Sequence, residues 1–433
     1  MKEKFIIQGQ EKLDGTITIS GAKNSAGPIL AATLLSSEPC IINNVPLVED
    51  VLKMLELIEG MGVKVDWLDK NKIKIQAGAD FNPANMDFAL ARKMRISVLL
   101  MGSLAVRFKE FKLSPPGGDR IVGMVRTKGG ARVGLRPITT HLEALEQMGL
   151  KYRREGNTYY FNSENLKPAK VILKEFSVTA TENLMMAAAG LEGETIIKGA
   201  AAEPHVRALG KMLQKMGAEI EGIGSHSLKI KGTKNLKGVE HSVLPDHLEI
   251  GTFLAIGALT QGTLEIKNLI WDDLDIFLAK MNEIGVNFRR ENNSLFVDFS
   301  PNLSGVRIQT LPWPGFPTDL LPLVIPLLTQ ASGRSLVHDP LYENRLGFLQ
   351  ELKKMGADIE IIDPHRAFIF GKTPLFGTSI SSWDIRAGAS LLIAALMAKG
   401  ETVIENVYQI DRGYEKIDEK LRNVGAKIER ITS

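Results

Sequence analysis

Cysteine is nearly missing from this chain. Its 433 residues include one, Cys40, so no intrachain disulfide framework can form. That excludes a disulfide-stapled secreted scaffold and fits a reducing compartment. Long apolar runs are missing too: none reaches the roughly 18 residues that would suggest a membrane span. The opening stretch, MKEKFIIQGQEKLDG, has no long apolar core of a signal peptide, so the cytoplasm is expected. Neither sign of charge is in surplus. With 53 basic and 50 acidic residues and no long basic run, nothing points to nucleic acid. The seven histidines are scattered and form no metal-ligand spacing. A Walker motif, a dinucleotide fingerprint and a Ser-His-Asp signature are all absent from the sequence. Hydrophobic content of 44% and charged content of 24% are ordinary for a globular protein, and the length suffices for two domains or more.

What the chain does have is a repeat. A short phrase recurs six times: Met61-Gly62-Val63, Met148-Gly149-Leu150, Met216-Gly217-Ala218, Ile284-Gly285-Val286, Met355-Gly356-Ala357 and Val424-Gly425-Ala426. The glycines are 87, 68, 68, 71 and 69 residues apart. Each phrase closes a segment with apolar residues three and four apart, such as 51–58 or 349–355, which reads as an amphipathic helix. The glycine suits the helix C-terminus, and the alternating residues after it read as a strand. A second phrase, a turn before a β-rich run, recurs at 38–43, 193–197, 262–266, 333–337 and 400–404, mostly after a small, apolar helical stretch such as 387–398. Units of about 70 residues exceed ordinary solenoid periods, and each alone would expose its apolar helix. The expected fold is α/β, with three copies closed around their apolar helices in each of two domains.

The long first interval holds Ser114–Thr140, rich in Gly and Pro and carrying Arg120, Arg126, Lys128, Arg132 and Arg136. Glycines let a backbone approach a ligand closely, and arginines present planar forks to phosphate or carboxylate. The stretch reads either as a lid over an anionic substrate or as a surface loop with solvated charges.

Several junctions carry cations or a carboxylate. Lys23 and Asn24 lie in Ser20–Ser25, after a strand pattern at 16–19 and before a helix expected to begin near Ala26. This is either an anion site or a capped helix with a solvated lysine. Arg95 opens an apolar helix expected at 98–106, as a ligand-binding group or a boundary arginine. Asp319 enters the apolar run 320–328, either as an N-cap or as a partly desolvated base. Asp384 and Arg386 occupy the equivalent place in the next repeat, and Asp411, Arg412 and Glu415 mark another turn-to-helix junction. Lys23, Arg95, Arg136, Arg386 and Arg412 occupy matching junctions, and convergent cations would suit a small polyanionic substrate.

The motifs resemble one family nearly end to end. They are ISGAKNS at Ile19–Ser25, KMRIS at Lys93–Ser97, PPGGD at Pro115–Asp119, GLRPI at Gly134–Ile138, ATENLMMAA at Ala180–Ala188, LPDHLEIGTF at Leu244–Phe253, FPTD at Phe316–Asp319, YENR at Tyr342–Arg345 and IDRGYEKI at Ile410–Ile417. The chain is similar to the UDP-N-acetylglucosamine 1-carboxyvinyltransferase family of enolpyruvyl transferases. The resemblance implies an inside-out α/β barrel of two domains, each of three βαβαββ repeats. It implies a discontinuous domain of residues 1–21 plus 244–433 and a second of 22–243 that carries a lid loop, 114–137. It also implies transfer of the enolpyruvyl group of phosphoenolpyruvate to the 3′-hydroxyl of UDP-N-acetylglucosamine with release of phosphate, the first committed step of peptidoglycan synthesis. Both substrates are small molecules, and no metal or redox cofactor is implied.

Carried over by motif, Lys23, Arg136 and Arg412 would grip phosphoenolpyruvate, with Asn24 beside the sugar and Arg95 supporting the substrates. Asp319 would be the general base at the attacking hydroxyl. Arg136, Pro137, Ile138, Thr139 and Thr140, with Ser177 and Val178, would hold the nucleotide, and Leu341 would face the uridine. Asp119 stands where most members carry an alkylatable cysteine, so it would be the proton donor, and insensitivity to fosfomycin is expected. Other departures are Thr139 for Asp, Thr179 for Gly, Leu320–Leu323 for a Gln-containing run, Ala202 and His205 for Arg and Glu, His247 for Arg, and Gln409 for His. They leave two alternatives open: an enolpyruvyl transferase with a different acceptor, or a non-catalytic paralogue that binds nucleotide sugar.

Overall fold

The computed structural model describes residues 3–117, 137–342 and 345–432, together with the backbone of the paired strands Met124–Thr127 and Gly130–Val133. Asp119 and Arg136 lie outside the described residues. Contacts divide the chain into two compact units. One comprises residues 3–20 and 245–432. The other comprises 21–117 and 137–244 with the Met124–Val133 hairpin.

One repeat carries the plan of all. Lys170–Ile172 leads into the helix Val178–Ala189, then the strand Gly193–Lys198, the helix Pro204–Met216 and the strands Glu219–Glu221 and Ser227–Gly232. The four strands form one sheet, with Lys170–Ile172 parallel to Gly193–Lys198 and the remaining neighbours antiparallel. Two kinds of helix alternate because their sequences bury different amounts of surface. Val178–Ala189 is buried almost all round and lies inside. Pro204–Met216 is amphipathic and buries one face, through Val206, Leu209, Leu213 and Met216 among others. The strands alternate with period two, as in Lys72–Gln76, where Ile73 and Ile75 are fully buried between half-buried polar residues.

Five sheets among the described residues repeat this four-stranded order. A sixth holds the three strands Glu110–Leu113, Thr158–Asn162 and Lys151–Glu155. In the first unit the largely apolar helices His247–Leu259, Leu321–Thr329 and Ile385–Met397 pack on one another. In the second, Lys23–Thr33, Leu100–Arg107 and Val178–Ala189 take the same inner place. Each unit has one contiguous hydrophobic core. This inside-out arrangement places helices within and sheets around them. The N-terminal strand Glu3–Gln8 pairs with both Glu401–Glu405 and Lys427–Thr432, completing the last repeat's sheet and tying the start of the chain to its end.

All six repeat glycines take left-handed φ, between 89° at Gly62 and 119° at Gly217. They follow the helices Glu49–Gly60, Thr139–Glu146, Pro204–Met216, Asp275–Ile284, Leu349–Lys354 and Ile417–Asn423. The phrase is therefore a chain reversal from outer helix to strand, at positions where a Cβ would be strained. Among the described residues no helix is long and apolar enough to cross a membrane.

Candidate active site

In the first unit the chemistry gathers around Asp319. Its carboxylate meets two arginines. Arg345 Nη2 donates to Oδ1 at 3.0 Å, and Arg386 Nη2 donates to Oδ2 at 2.7 Å. Arg386 Nε also contacts Oδ1. The side chains of Asp319 and Arg345 are 18% and 7% exposed. Burial pushes the Asp319 carboxyl up, but the charges of Arg386 and Arg345 outweigh it and hold the group well below the usual carboxylate range. The N-cap expectation for Asp319 is corrected here: the Leu321–Thr329 helix begins after Leu320 and has no side-chain cap. Asp319 sits one residue before the cap position, Leu320, and its carboxylate is taken up by two guanidiniums, each bringing a full opposite charge. The equivalent Asp384 is a cap, accepting from Arg386 N at 2.8 Å and Ala387 N at 3.0 Å, and so orients the first turn that carries Arg386.

Behind this clamp lies Asp339, fully buried. It accepts from Thr310 Oγ1 at 2.9 Å, from the amides of Leu341 and Tyr342 at 3.0 and 3.3 Å, and from Thr318 Oγ1. Arg345 Nε lies 3.9 Å away. Asp339 thereby ties the segment carrying Asp319 to the one carrying Leu341 and Arg345. His247, the first residue of its helix, shares this neighbourhood. Burial lowers its pKa, the Asp319 charge raises it and Arg386 lowers it further, a net shift downward that favours the neutral imidazole. Arg412 is 4% exposed and donates to Gln409 Oε1 at 2.9 Å. Asp411 does not face it. It makes a bidentate pair with Arg430, at 2.8 and 2.9 Å.

In the second unit Lys23 opens the Lys23–Thr33 helix, three residues earlier than the pattern predicts. Its Nζ lies 3.1 Å from Oδ2 of Asp50, a carboxylate whose side chain is only 2% exposed. Asn24 follows on the same turn, half-buried. The expected helix at 98–106 is instead a 3-10 turn, Ile96–Leu99, running into the helix Leu100–Arg107, with Arg95 just before it. Arg95 Nη2 donates to the carbonyl of Pro137 at 3.1 Å, which ties the stretch 137–140 to this junction. Ile138 is buried, whereas Pro137 and Thr139 are exposed at the start of the Thr139–Glu146 helix. Ser177 caps Val178–Ala189, its Oγ accepting from Ala180 N at 3.3 Å. A cleft of about 180 Å3 lies against Thr139, Thr140, Lys174 and Glu175. A larger one, about 580 Å3, lies over Phe88, Phe108, Lys112, Arg153 and Tyr160 and holds none of the site residues.

Of the cations expected at matching junctions, Arg386 and Arg412 belong to the first unit and Lys23 and Arg95 to the second. Sequence reasoning gave no role to Arg345, Asp339, Asp50, His141 or Asn183. Arg345 sits within the quoted YENR motif, and its position beside Asp319 could have been suspected. Asn183 likewise lies within the quoted ATENLMMAA motif, whereas nothing in the sequence around Asp339, Asp50 or His141 says which distant group each would meet. Among the described residues no group of three or more His, Cys, Asp or Glu could hold a metal.

Residues 7–421 match the family model for EPSP synthase (3-phosphoshikimate 1-carboxyvinyltransferase). The chain is 41% identical to the UDP-N-acetylglucosamine 1-carboxyvinyltransferase of Treponema denticola, covering 98% of this chain and 99% of that one. It is also 41% identical to UDP-N-acetylglucosamine 1-carboxyvinyltransferase 1 of Caldanaerobacter subterraneus subsp. tengcongensis, covering 99% and 100%. Among solved structures, the enolpyruvyl transferase NikO from Streptomyces tendae superposes with a TM-score of 0.89 at 22% identity, covering 100% of this chain and 99% of that one. EPSP synthase from Acinetobacter baumannii gives 0.72 at 18%, covering all of both chains. These two share the fold. The match to the family model over almost the whole chain, together with relatives at 41% identity, means that this protein belongs to the carboxyvinyltransferase family and groups with the UDP-N-acetylglucosamine 1-carboxyvinyltransferases.

Proposed function

We propose that the protein transfers the enolpyruvyl group of phosphoenolpyruvate to the 3′-hydroxyl of UDP-N-acetylglucosamine and releases phosphate, the first step of peptidoglycan synthesis. The observation that carries the reading is near full-length identity of about 40% to several proteins of that name. In this reading C3 of phosphoenolpyruvate gains a proton, and C2 becomes cationic and is attacked by the acceptor oxygen, which loses its own proton. Elimination then returns the C3 proton and expels phosphate from C2. Lys23, Arg136 and Arg412 would hold phosphoenolpyruvate and stabilise the departing phosphate. Asp119 would donate to C3, and closure of 114–137 would keep water from C2. Asn24 and Arg95 would support the sugar and the bound substrates. Residues 136–140, Ser177 and Val178 would hold the nucleotide, and Leu341 would meet the uridine.

Asp319 would take the hydroxyl proton. A carboxylate clamped by Arg345 and Arg386 stays ionised at every physiological pH, so it is always ready to accept a hydrogen bond. Its low proton affinity means that the proton moves only as the C–O bond forms and the hydroxyl becomes acidic. We assign the activity to the cytoplasm, which suits a chain with a single, fully buried cysteine. The test is phosphate release from the two substrates, with the product identified by mass. Enolpyruvyl-UDP-N-acetylglucosamine should form and should be lost in Asp319→Asn. No turnover with both substrates bound at saturation would sink the reading and favour another acceptor, to which Thr139, Thr179, His205 and His247 are the first residues that could respond.

A further inference from the structure

Asn183 is fully buried, and the backbone around it fixes which way its amide faces. Oδ1 accepts from Gly102 N at 2.7 Å, and Nδ2 donates to Val98 O at 3.0 Å. Turning the amide over would oppose oxygen to carbonyl and N–H to N–H. The second Nδ2 hydrogen therefore goes to His141 Nδ1, 2.9 Å away. Nδ1 is thus an acceptor, and the ring's single proton sits on Nε2. His141 is 2% exposed, and burial, with the Arg95 charge, pushes its pKa down to about 3, so the ring is neutral. Nε2 then donates to Thr179 Oγ1 at 3.0 Å. One donor is left over, the Thr179 hydroxyl hydrogen, for which no described residue offers an acceptor.

We propose that Thr179 is a specificity-determining residue whose hydroxyl, held as a donor by the buried His141 and Asn183, hydrogen-bonds a phosphoryl oxygen of the UDP diphosphate. The proposal rests on the nucleotide-sugar reading above. An unconstrained threonine can offer either its hydrogen or a lone pair. This one has its oxygen occupied by an imidazole N–H, so it favours a ligand that brings a lone pair. Thr179 is half-buried on the first turn of Val178–Ala189, directly after the Ser177–Val178 pair assigned to the nucleotide. A phosphoryl oxygen is the strongest acceptor a nucleotide diphosphate sugar carries, and a bond to a charged group is about twice as strong as a neutral one. His141 and Asn183 are positioning residues. They touch no substrate but fix the direction of the hydroxyl.

The test is calorimetric binding of UDP-N-acetylglucosamine, UDP and uridine to the full chain and to Thr179→Val and Thr179→Ser. Valine keeps the shape and removes the donor. It should weaken UDP-N-acetylglucosamine and UDP by about tenfold or more and leave uridine, which lacks the diphosphate, as in the wild type. Serine should retain the affinity. Equal loss for uridine, or no loss for UDP, would overturn the inference while the nucleotide-sugar reading stands. A wild-type chain that binds no UDP-N-acetylglucosamine would overturn both. Nitrogen-15 spectra of the His141 ring provide a second readout. Protonation on Nε2, unchanged from pH 7 to pH 5, is expected, and a proton on Nδ1 would refute the donor assignment.

Discussion

Replacing a catalytic base by its amide often stabilises an enzyme, because the charge was costly to bury. At Asp319, the proposed base, the change to Asn should do the opposite. The carboxylate neutralises two guanidiniums whose side chains are 7% and 14% exposed. At the 3.0 Å separation of Arg345 Nη2 and Oδ1, the gross Coulomb attraction is about 5 kcal/mol for an effective dielectric constant of about 20. Desolvation offsets part of this in the intact clamp. After substitution that offset turns against the protein, since the two guanidiniums lose the carboxylate held between them and Arg345 keeps only the more distant Asp339, 3.9 Å away. Breaking one side of such a buried pair typically costs about 3–5 kcal/mol, and we expect a loss of that order. Urea unfolding of wild type, Asp319→Asn and Asp319→Asn/Arg386→Met would measure it. The double variant should recover part of the loss because one of the two like charges has gone. Millimolar phosphate should stabilise Asp319→Asn more than wild type by occupying the space between the arginines. A single variant as stable as wild type, with no response to phosphate, would refute the account of the clamp.

Three further outcomes follow from other parts of the molecule. Fosfomycin should neither inhibit the protein nor add its mass, because loop position 119 carries a carboxylate and the single thiol, Cys40, is fully buried; Asp119→Cys should create sensitivity. Gly102→Ala should lower stability by about 1–3 kcal/mol, seen as a reduced Tm, because its Cβ would lie 2.4 Å from the Asn183 carbonyl oxygen, a backbone atom that cannot swing aside. His141, held down at about 3 against an ordinary value near 6.5, is neutral in the fold, while the unfolded chain takes up a proton below about pH 6.5. Its contribution is therefore complete above that pH and is lost as pH falls towards 3, at about 1.4 kcal/mol per unit. Between pH 6.5 and 5 the wild type should lose about 2 kcal/mol more than His141→Gln by urea titration, and equal slopes would contradict the neutral buried ring.

Local order was legible in the sequence because it depends on local chemistry. The glycines at 62, 149, 217, 285, 356 and 425 are needed for their own backbone conformation, so they mark every outer-helix end regardless of what packs around them. Period-two and helical patterns likewise placed strands and helices, and the near-even spacing separated six repeats. Motif strings identified the family and, by position, offered Lys23, Asp319 and Arg412 as candidate site residues. Only the tertiary structure decided what those side chains do to one another. Asp319 reads as a helix cap until Arg345 and Arg386, 26 and 67 residues away in sequence, are folded against it. Asp50, 27 residues from Lys23, has no role that the sequence shows and is a buried counter-charge in the fold. The direction of the Thr179 hydroxyl depends on a tautomer at His141, which depends on an amide at Asn183, which in turn depends on two backbone groups at 98 and 102. A sequence specifies conformations through short-range preferences that each residue carries with it. Charge compensation and hydrogen-bond polarity belong to pairs and chains of groups, and these exist only once distant segments have been buried together.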